Sequence, residues 1–336
     1  MNILAIGSKQ WHPEHEWILR GTEQVLEQVW NERINWVLYD CNPDLTAFDG
    51  YQFSQKNKSV SNSFHPLSSL PFSKIVIAGT AAWCSPSLEP LYGLLLRSNL
   101  PIYALGLEIP AAAIHLSPNA LACLSRYDTR LTVSTESAKE WLRRYDLEAT
   151  ILPDLSIFAS PLQKTDKTNG RPSVGFIMVD SQRPFATIQE ENVRVLCRLF
   201  EELSGDWDGR VLCPTADDFM RFSTIFPQQT FYHHDAMQWL QYIAQCDVIV
   251  THLASYARMA NACGVQTVYL SNEQDERIED CPAICPSDLS QLKANLAKTQ
   301  QTALSIHQLE DWKTSTKARW LEFLQTGQNI PKREAA

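Results

Sequence analysis

The stretch from Val248 to Val265, VIVTHLASYARMANACGV, shows the unit from which this chain is built. Its first four residues, ending at Thr251, are rich in β-branched side chains and are typical of a buried strand. A short loop follows, and then a helical pattern ends at Gly264, since glycine is common just after a helix. Strand, loop and helix in this order predict one βα unit of a parallel sheet.

The same alternation recurs along the whole chain. In the first half it predicts strands at 2–6, 35–39, 74–78, 101–105, 130–133 and 149–152. In the second half it predicts strands at 174–179, 210–213, 248–251 and 267–270. Strands that alternate with helices imply a parallel sheet covered on both faces. The sequence therefore predicts an α/β fold with two Rossmann-like domains.

A polar segment separates the two halves. Residues 163–172, QKTDKTNGRP, contain Gly and Pro and show no periodicity, which predicts a linker. A length of 336 residues also exceeds what one hydrophobic core usually serves. We expect an N-terminal domain at 1–162, a linker at 163–172, a C-terminal domain at 173–308, and a helix and tail at 309–336.

Composition excludes several classes of function. The chain has 29 Lys and Arg residues and 38 Asp and Glu residues. The resulting net charge of −9 disfavours a nucleic-acid partner. No run approaches the roughly 20 apolar residues of a membrane-spanning helix, and the first residues resemble a strand more than a signal peptide. The nine cysteines lack paired zinc spacing. We therefore expect a cytoplasmic protein without a membrane span, metal or cofactor.

The loops after the strands hold the candidate site residues, because ligands of parallel sheets bind outside the carboxyl ends of the strands. In the first domain, glycine at position 79 permits a tight turn and a close approach of the backbone to a ligand, and the ring of Trp83 offers a flat face for a sugar. A core position beneath the loop is an equally good interpretation of Trp83. We expect the acceptor side to be formed by Lys9, His12, His15, Gly79, Thr80, Trp83 and Glu108.

The candidate donor site lies in the second domain, after the strand that ends at Thr251. A helix start presents unpaired N–H groups and a partial positive charge, which favour an anion such as phosphate. We predict that Ser255 and Tyr256 bind the donor there, and that His252 and Arg258 are catalytic because they stabilise the leaving phosphate. The structural alternatives are a histidine hydrogen-bonded to backbone and an arginine on the outer helix face.

Arg183 offers the donor a second cation. It follows the first strand of the second domain, so the topology of a parallel sheet places it at the same edge as the other donor residues. We therefore include Arg183 among the donor-binding residues.

Three strings of the first half resemble the polysaccharide pyruvyl transferase family. They are IVIAGTAAWCSP at 75–86, PIYALGLEIP at 101–110 and LTVSTESAKEWLRRYDLEATILPDLSIF at 131–158. Ser137 and Asp154 stand at positions that match the family's pattern. The resemblance implies a GT-B-like fold, with two Rossmann-like domains facing each other across a cleft. It also implies transfer of a pyruvyl ketal from phosphoenolpyruvate to a saccharide acceptor.

The chain departs from the family's pattern at two positions. Ser134 and Thr135 stand where the family carries an arginine that would suit a phosphate or carboxylate, and Arg130 is the candidate donor-binding replacement. The histidine of the second domain, His252, is displaced as well. Two further hypotheses therefore stay open: a GT-B glycosyltransferase with a nucleotide-sugar donor, and a catalytically silent member that acts as a binding or scaffold subunit.

Overall fold

The chain forms two compact units. The computed structural model describes residues 1–7, 13–40, 71–79, 81–84, 88–109, 116–160, 171–177, 190–203, 205–270, 278, 281–282, 284–287, 291, 294–296 and 306–326. The first unit comprises Met1–Gln10, His15–Ala159 and Thr314–Ala336. The second comprises Trp11–Glu14 and Ser160–Lys313. Most of the expected linker, residues 163–170, lies outside the described residues.

The first unit is built on a six-stranded parallel sheet with the order β2-β1-β3-β4-β5-β6. Its strands are β1 (Asn2–Gly7), β2 (Asn35–Asp40), β3 (Lys74–Ala78), β4 (Ile102–Leu107), β5 (Arg130–Val133) and β6 (Thr150–Ile151). Its helices are α1 (Pro13–Trp30), α2 (Glu89–Leu95), α3 (Pro118–Leu124) and α4 (Glu136–Arg143), with 3₁₀ turns at Ala81–Cys84 and Leu155–Phe158. The first two residues of α1 belong to the second unit.

Local sequence determines where these helices begin. The hydroxyl of Ser117 accepts a hydrogen bond from the Ala120 amide at the start of α3. The hydroxyl of Thr135 does the same for the Ala138 amide at the start of α4. Each bond satisfies an amide that has no partner within its helix, so short hydroxyl side chains are favoured at these positions. The capping hydrogen bond thus gives a structural reason for a hydroxyl residue at position 135.

The second unit has its own six-stranded parallel sheet with the order β12-β11-β10-β7-β8-β9. Its strands are β7 (Ser173–Ile177), β8 (Asp208–Leu212), β9 (Thr230–Phe231), β10 (Val248–Thr251), β11 (Gln266–Leu270) and β12 (Ile284–Ser287). Its helices are α5 (Glu190–Leu203), α6 (Ala216–Ile225), α7 (Ala236–Ala244) and α8 (Ala254–Ala262). The predicted α/β fold with two parallel-sheet Rossmann-like domains is confirmed.

The last helix, α9 (Ile306–Thr326), is shared between the units, and its residues from Thr314 onward belong to the first. Within that unit the indole nitrogen of Trp320 donates a hydrogen bond to the Pro153 carbonyl at 3.0 Å. Trp320 is fully buried. The end of the chain therefore supplies core to the domain that its beginning forms. No helix among the described residues is long and apolar enough to cross a membrane.

Candidate functional site

The order of strands in the second sheet identifies the place where a ligand is expected. Strand β7 has β8 on one side and β10 on the other, so successive connections leave it in opposite directions. At such a switch point the loops after the two central strands part and leave a crevice at their carboxyl ends. The loop after β10 contains His252 and leads into α8. Arg183, in the loop after β7, lies outside the described residues.

Helix α8 begins without a side-chain cap. Its N-cap residue is Leu253, whose backbone is extended and whose side chain makes no capping hydrogen bond. The neighbouring α6 and α7 are capped by Thr215 and Asp235, which accept hydrogen bonds from backbone amides of the first turn. The first amides of a helix have no partner within the helix, and they form the positive end of its dipole. The start of α8 is therefore a candidate position for an anion.

Ser255 already contacts an anion. Its hydroxyl donates a hydrogen bond to the carboxylate of Glu14, a residue of the same unit that lies 241 positions earlier in the chain. The positive end of a helix stabilises a carboxylate that lies beside it. The predicted anion site at Ser255 is thus occupied by a side chain of the protein. Sequence analysis missed this role of Glu14, because nothing local connects residues so far apart.

His252 is buried in its neutral form. Its side chain is only partly exposed, and its Nδ1 atom is buried without a hydrogen-bond partner in the described part of the chain. Desolvation lowers the pKa of His252 to about 3, from an ordinary value of 6.5. The imidazole is therefore neutral at physiological pH and presents one donor and one acceptor. It can act on a phosphate as a hydrogen-bond donor but not as a cation.

Two other predicted donor residues lie deeper than expected. Arg258 is 3% exposed, so the alternative that placed it on the outer face of the helix is wrong. Tyr256 is fully buried, and its ring packs edge-on against Trp239 with centroids 5.7 Å apart. The prediction that Tyr256 binds the donor is therefore not supported by its position. The guanidinium of Arg258 therefore lies inside the unit.

Asn261 is a further buried polar residue of α8 that sequence analysis missed. It lies three positions after Arg258, is 0% exposed, and neither polar atom of its amide has a hydrogen-bond partner among the described residues. Residues three apart share a helix face, so Asn261 and Arg258 form a polar strip in the interior. A lone asparagine in an alanine-rich helix carries no sequence signal that would have marked it.

In the first unit, the switch point lies between β1 and β3. Three residues predicted there, Lys9, His12 and Thr80, lie outside the described residues. His15 is described in the first turn of α1, where it is 8% exposed, so little of its surface is open to an acceptor.

Gly79 is explained by packing. Its amide donates to the Leu105 carbonyl at 3.1 Å, and its carbonyl accepts from the Glu108 amide at 3.2 Å. A Cβ atom at this position would lie 2.4 Å from the Gly106 carbonyl oxygen. The close backbone approach at Gly79 is therefore to strand β4 and the Glu108 backbone, whereas the sequence predicted an approach to a ligand. The expected acceptor contacts of Gly79 and Glu108 have no support in this geometry.

Trp83 belongs to the core. It is 2% exposed, its indole nitrogen donates to the Glu108 carbonyl at 2.8 Å, and its own carbonyl accepts from the Tyr92 hydroxyl at 2.6 Å. A ring held in this way presents no face to a sugar. Of the two interpretations of Trp83, the acceptor-binding one is wrong and the core one is right.

Arg130 lies at the wrong edge of the sheet for a donor. It is the first residue of β5, whereas ligands of parallel sheets bind at the carboxyl ends of strands. Its guanidinium donates to the Phe323 carbonyl at 3.3 Å and lies over the Tyr103 ring at 5.5 Å. The expectation that Arg130 replaces the missing arginine of the motif is therefore corrected. Its place at the start of a predicted strand was a signal that could have shown this.

The described residues contain no group of three or more His, Cys, Asp and Glu side chains that could hold a metal ion. The candidate site consists of the start of α8, the neutral imidazole of His252 and the buried guanidinium of Arg258.

Comparison with known proteins yields matches in structure alone. No family model matches the sequence, and no curated protein matches it either. The resemblance to polysaccharide pyruvyl transferases is therefore not confirmed.

Several solved structures match over nearly the whole chain. A protein described as a UDP-N-acetylglucosamine 2-epimerase from Listeria monocytogenes aligns with a TM-score of 0.62 at 10% identity, covering 100% of this chain and 99% of that one. The UDP-GlcNAc 2-epimerase of Methanocaldococcus jannaschii, in complex with UDP-GlcNAc and UDP, aligns with a TM-score of 0.60 at 12% identity, covering 97% and 99%. That of Neisseria meningitidis, bound to UDP-GlcNAc, gives a TM-score of 0.56 at 8% identity, covering 95% and 100%.

Identities this low establish the fold and leave the activity open. The chain has a GT-B-like fold made of two parallel-sheet Rossmann-like domains.

Proposed function

We propose that this protein is an enzyme that binds a nucleotide sugar and transfers its glycosyl group to a saccharide acceptor. The observation that carries the proposal is the uncapped start of α8 at the switch point of the second sheet, with the neutral His252 beside it. The fold supports the choice of ligand, because two of the similar structures hold UDP-GlcNAc.

The chemistry of the site suits a diphosphate leaving group. When the bond between sugar and diphosphate breaks, negative charge grows on the diphosphate oxygens, and donors fixed around them lower the barrier. The amides at the start of α8 and one N–H of His252 would supply such donors.

Pyruvyl transfer from phosphoenolpyruvate is the second candidate. The strings at 75–86, 101–110 and 131–158 favour it, and the same anion site would take the phosphate of this donor. The burial of Trp83 and the contact of Arg130 with the Phe323 carbonyl weaken it, because these residues were expected to bind the acceptor and the donor.

Calorimetric titration with UDP-GlcNAc, UDP and phosphoenolpyruvate distinguishes the two candidates. We expect UDP-GlcNAc and UDP to bind, and to stabilise the protein by about 2.7 kcal/mol at a hundredfold excess over the dissociation constant. His252→Ala should weaken UDP binding, whereas His307→Ala, which changes a side chain that is 90% exposed, should not. Binding of phosphoenolpyruvate alone would favour pyruvyl transfer, and binding of neither donor would favour the catalytically silent subunit.

A further inference from the structure

The contact between Glu14 and Ser255 raises a question that the proposed function leaves open. Ser255 is the second residue of α8, and its hydroxyl donates to the Glu14 carboxylate. Glu14 is the second residue of α1, directly after Pro13. A carboxylate therefore lies at the helix start that the proposed function assigns to the phosphates of the donor.

Two anions cannot share this helix start without cost. The dipole of a helix acts mainly within its first turn, so a phosphate bound there would lie close to the carboxylate. Like charges at such a distance repel each other strongly where water is partly excluded. The Ser255 hydroxyl also has a single proton to donate, which Glu14 uses in this structure. A phosphate that takes this proton must displace the carboxylate.

We propose that Glu14 is a specificity-determining residue that competes with the donor for the start of α8. This inference rests on the proposed function. In the free protein the Glu14 carboxylate occupies the position of a donor phosphate at the start of α8. It leaves Ser255 when the donor binds. A ligand with one negative charge gains little by replacing a carboxylate that carries the same charge. A diphosphate carries more charge and gains more, so Glu14 selects for diphosphates over smaller anions.

The chain offers a matched pair of variants to test this. Glu14→Gln keeps the size of the side chain and an oxygen that accepts from Ser255, but removes the charge. Glu27→Gln removes the same charge from an exposed position of the same helix. Thirteen residues of helix place Glu27 about 20 Å from Glu14, beyond the screening length of about 8 Å at physiological salt. Glu27→Gln therefore controls for net charge.

The measurement is calorimetric titration of inorganic pyrophosphate and of UDP into wild type and both variants. We expect Glu14→Gln to bind both ligands about five to ten times more tightly than wild type, the size expected for one like charge at a helix start. Glu27→Gln should bind as wild type does. The gain should shrink at about 1 M salt, where screening extends only about 3 Å.

Equal or weaker binding of pyrophosphate by Glu14→Gln would overturn the inference, and so would an equal gain in Glu27→Gln. If Glu14→Gln does not fold, Glu14→Ala provides the same comparison with the same expected gain. Glu14→Gln could bind pyrophosphate more tightly than wild type does, while UDP binds no more tightly than pyrophosphate. That result would support Glu14 as a competitor of the ligand and refute the nucleotide-sugar proposal. Failure of wild type and variant to bind either ligand would refute both.

Discussion

Replacing His252 by glutamine should make the protein less sensitive to acid, because this imidazole is buried in its neutral form. Its pKa is about 3 in the folded protein and has the ordinary value of 6.5 in the unfolded chain. Below pH 6.5 the unfolded chain therefore binds a proton that the folded protein does not bind. Stability that depends on neutral His252 is complete above pH 6.5 and is lost as the pH falls toward 3.

The size of the effect follows from these two pKa values. The free energy of unfolding falls by about 1.4 kcal/mol for each pH unit below 6.5. At pH 5 the loss is therefore roughly 2 kcal/mol. It reaches its limit of about 5 kcal/mol near pH 3, which equals the whole stability of many small domains.

Urea unfolding at pH 7.5 and pH 5, without ligand, measures the effect. Wild type should lose about 2 kcal/mol more than His252→Gln between these two pH values. His307→Gln is the control, because the side chain of His307 is 90% exposed and should not contribute. Equal acid sensitivity of wild type and His252→Gln would refute the reasoning. So would an NMR titration in which the His252 imidazole gains its proton near pH 6.5.

Four other substitutions test burial and packing. Arg258→Ala removes an arginine that is 3% exposed and should lower the free energy of unfolding by about 1 to 3 kcal/mol, seen as a lower urea midpoint. Gly21→Ala places a Cβ atom 1.7 Å from a backbone carbonyl oxygen and should lower the free energy of unfolding by about 3 kcal/mol or more in a thermal melt. Gly205→Ala is the control, because nothing lies within 4 Å of the added Cβ atom, and it should lower the free energy by less than about 0.5 kcal/mol. Burial lowers the pKa of Lys313 to about 8 from 10.5. The free energy of unfolding of wild type should therefore rise by up to roughly 3 kcal/mol between about pH 8 and 10.5. Lys313→Met should lack this rise in urea unfolding. Burial raises the pKa of Cys263, which opposes the gain above pH 9 in both proteins, so the difference between them is the quantity to compare.

Local patterns were enough to predict most of the elements. Strands β3, β5 and β10 begin and end where the sequence predicts, because a short apolar run marks each of them. Strands β9 and β12 were missed. The first has two residues and the second contains Pro286, so neither offers a run in which a period of two can be recognised.

The loops of the site were predictable, but the depth of its residues was not. Parallel topology places His252 and Ser255 after a strand whatever the rest of the fold does. In α8, every residue except Ser255 is buried, so the helix has no solvent face and its periodicity cannot show which way Arg258 points. The same limit applies to Trp83, because an aromatic ring after a strand suits a core as well as a sugar.

The shared helix α9 has a consequence for how the chain is made. The sheet of the first unit is translated early, but two of its hydrogen-bond partners come from α9 at the end of the described chain. The Pro153 carbonyl accepts from the indole of Trp320, and the Arg130 guanidinium donates to the Phe323 carbonyl. Domains generally fold as units while synthesis proceeds at about 5 to 20 residues per second. The unit that emerges first can therefore be completed only after the second unit has been translated. At that rate, the part of the first unit that contacts α9 stays without this partner for roughly 10 seconds or more.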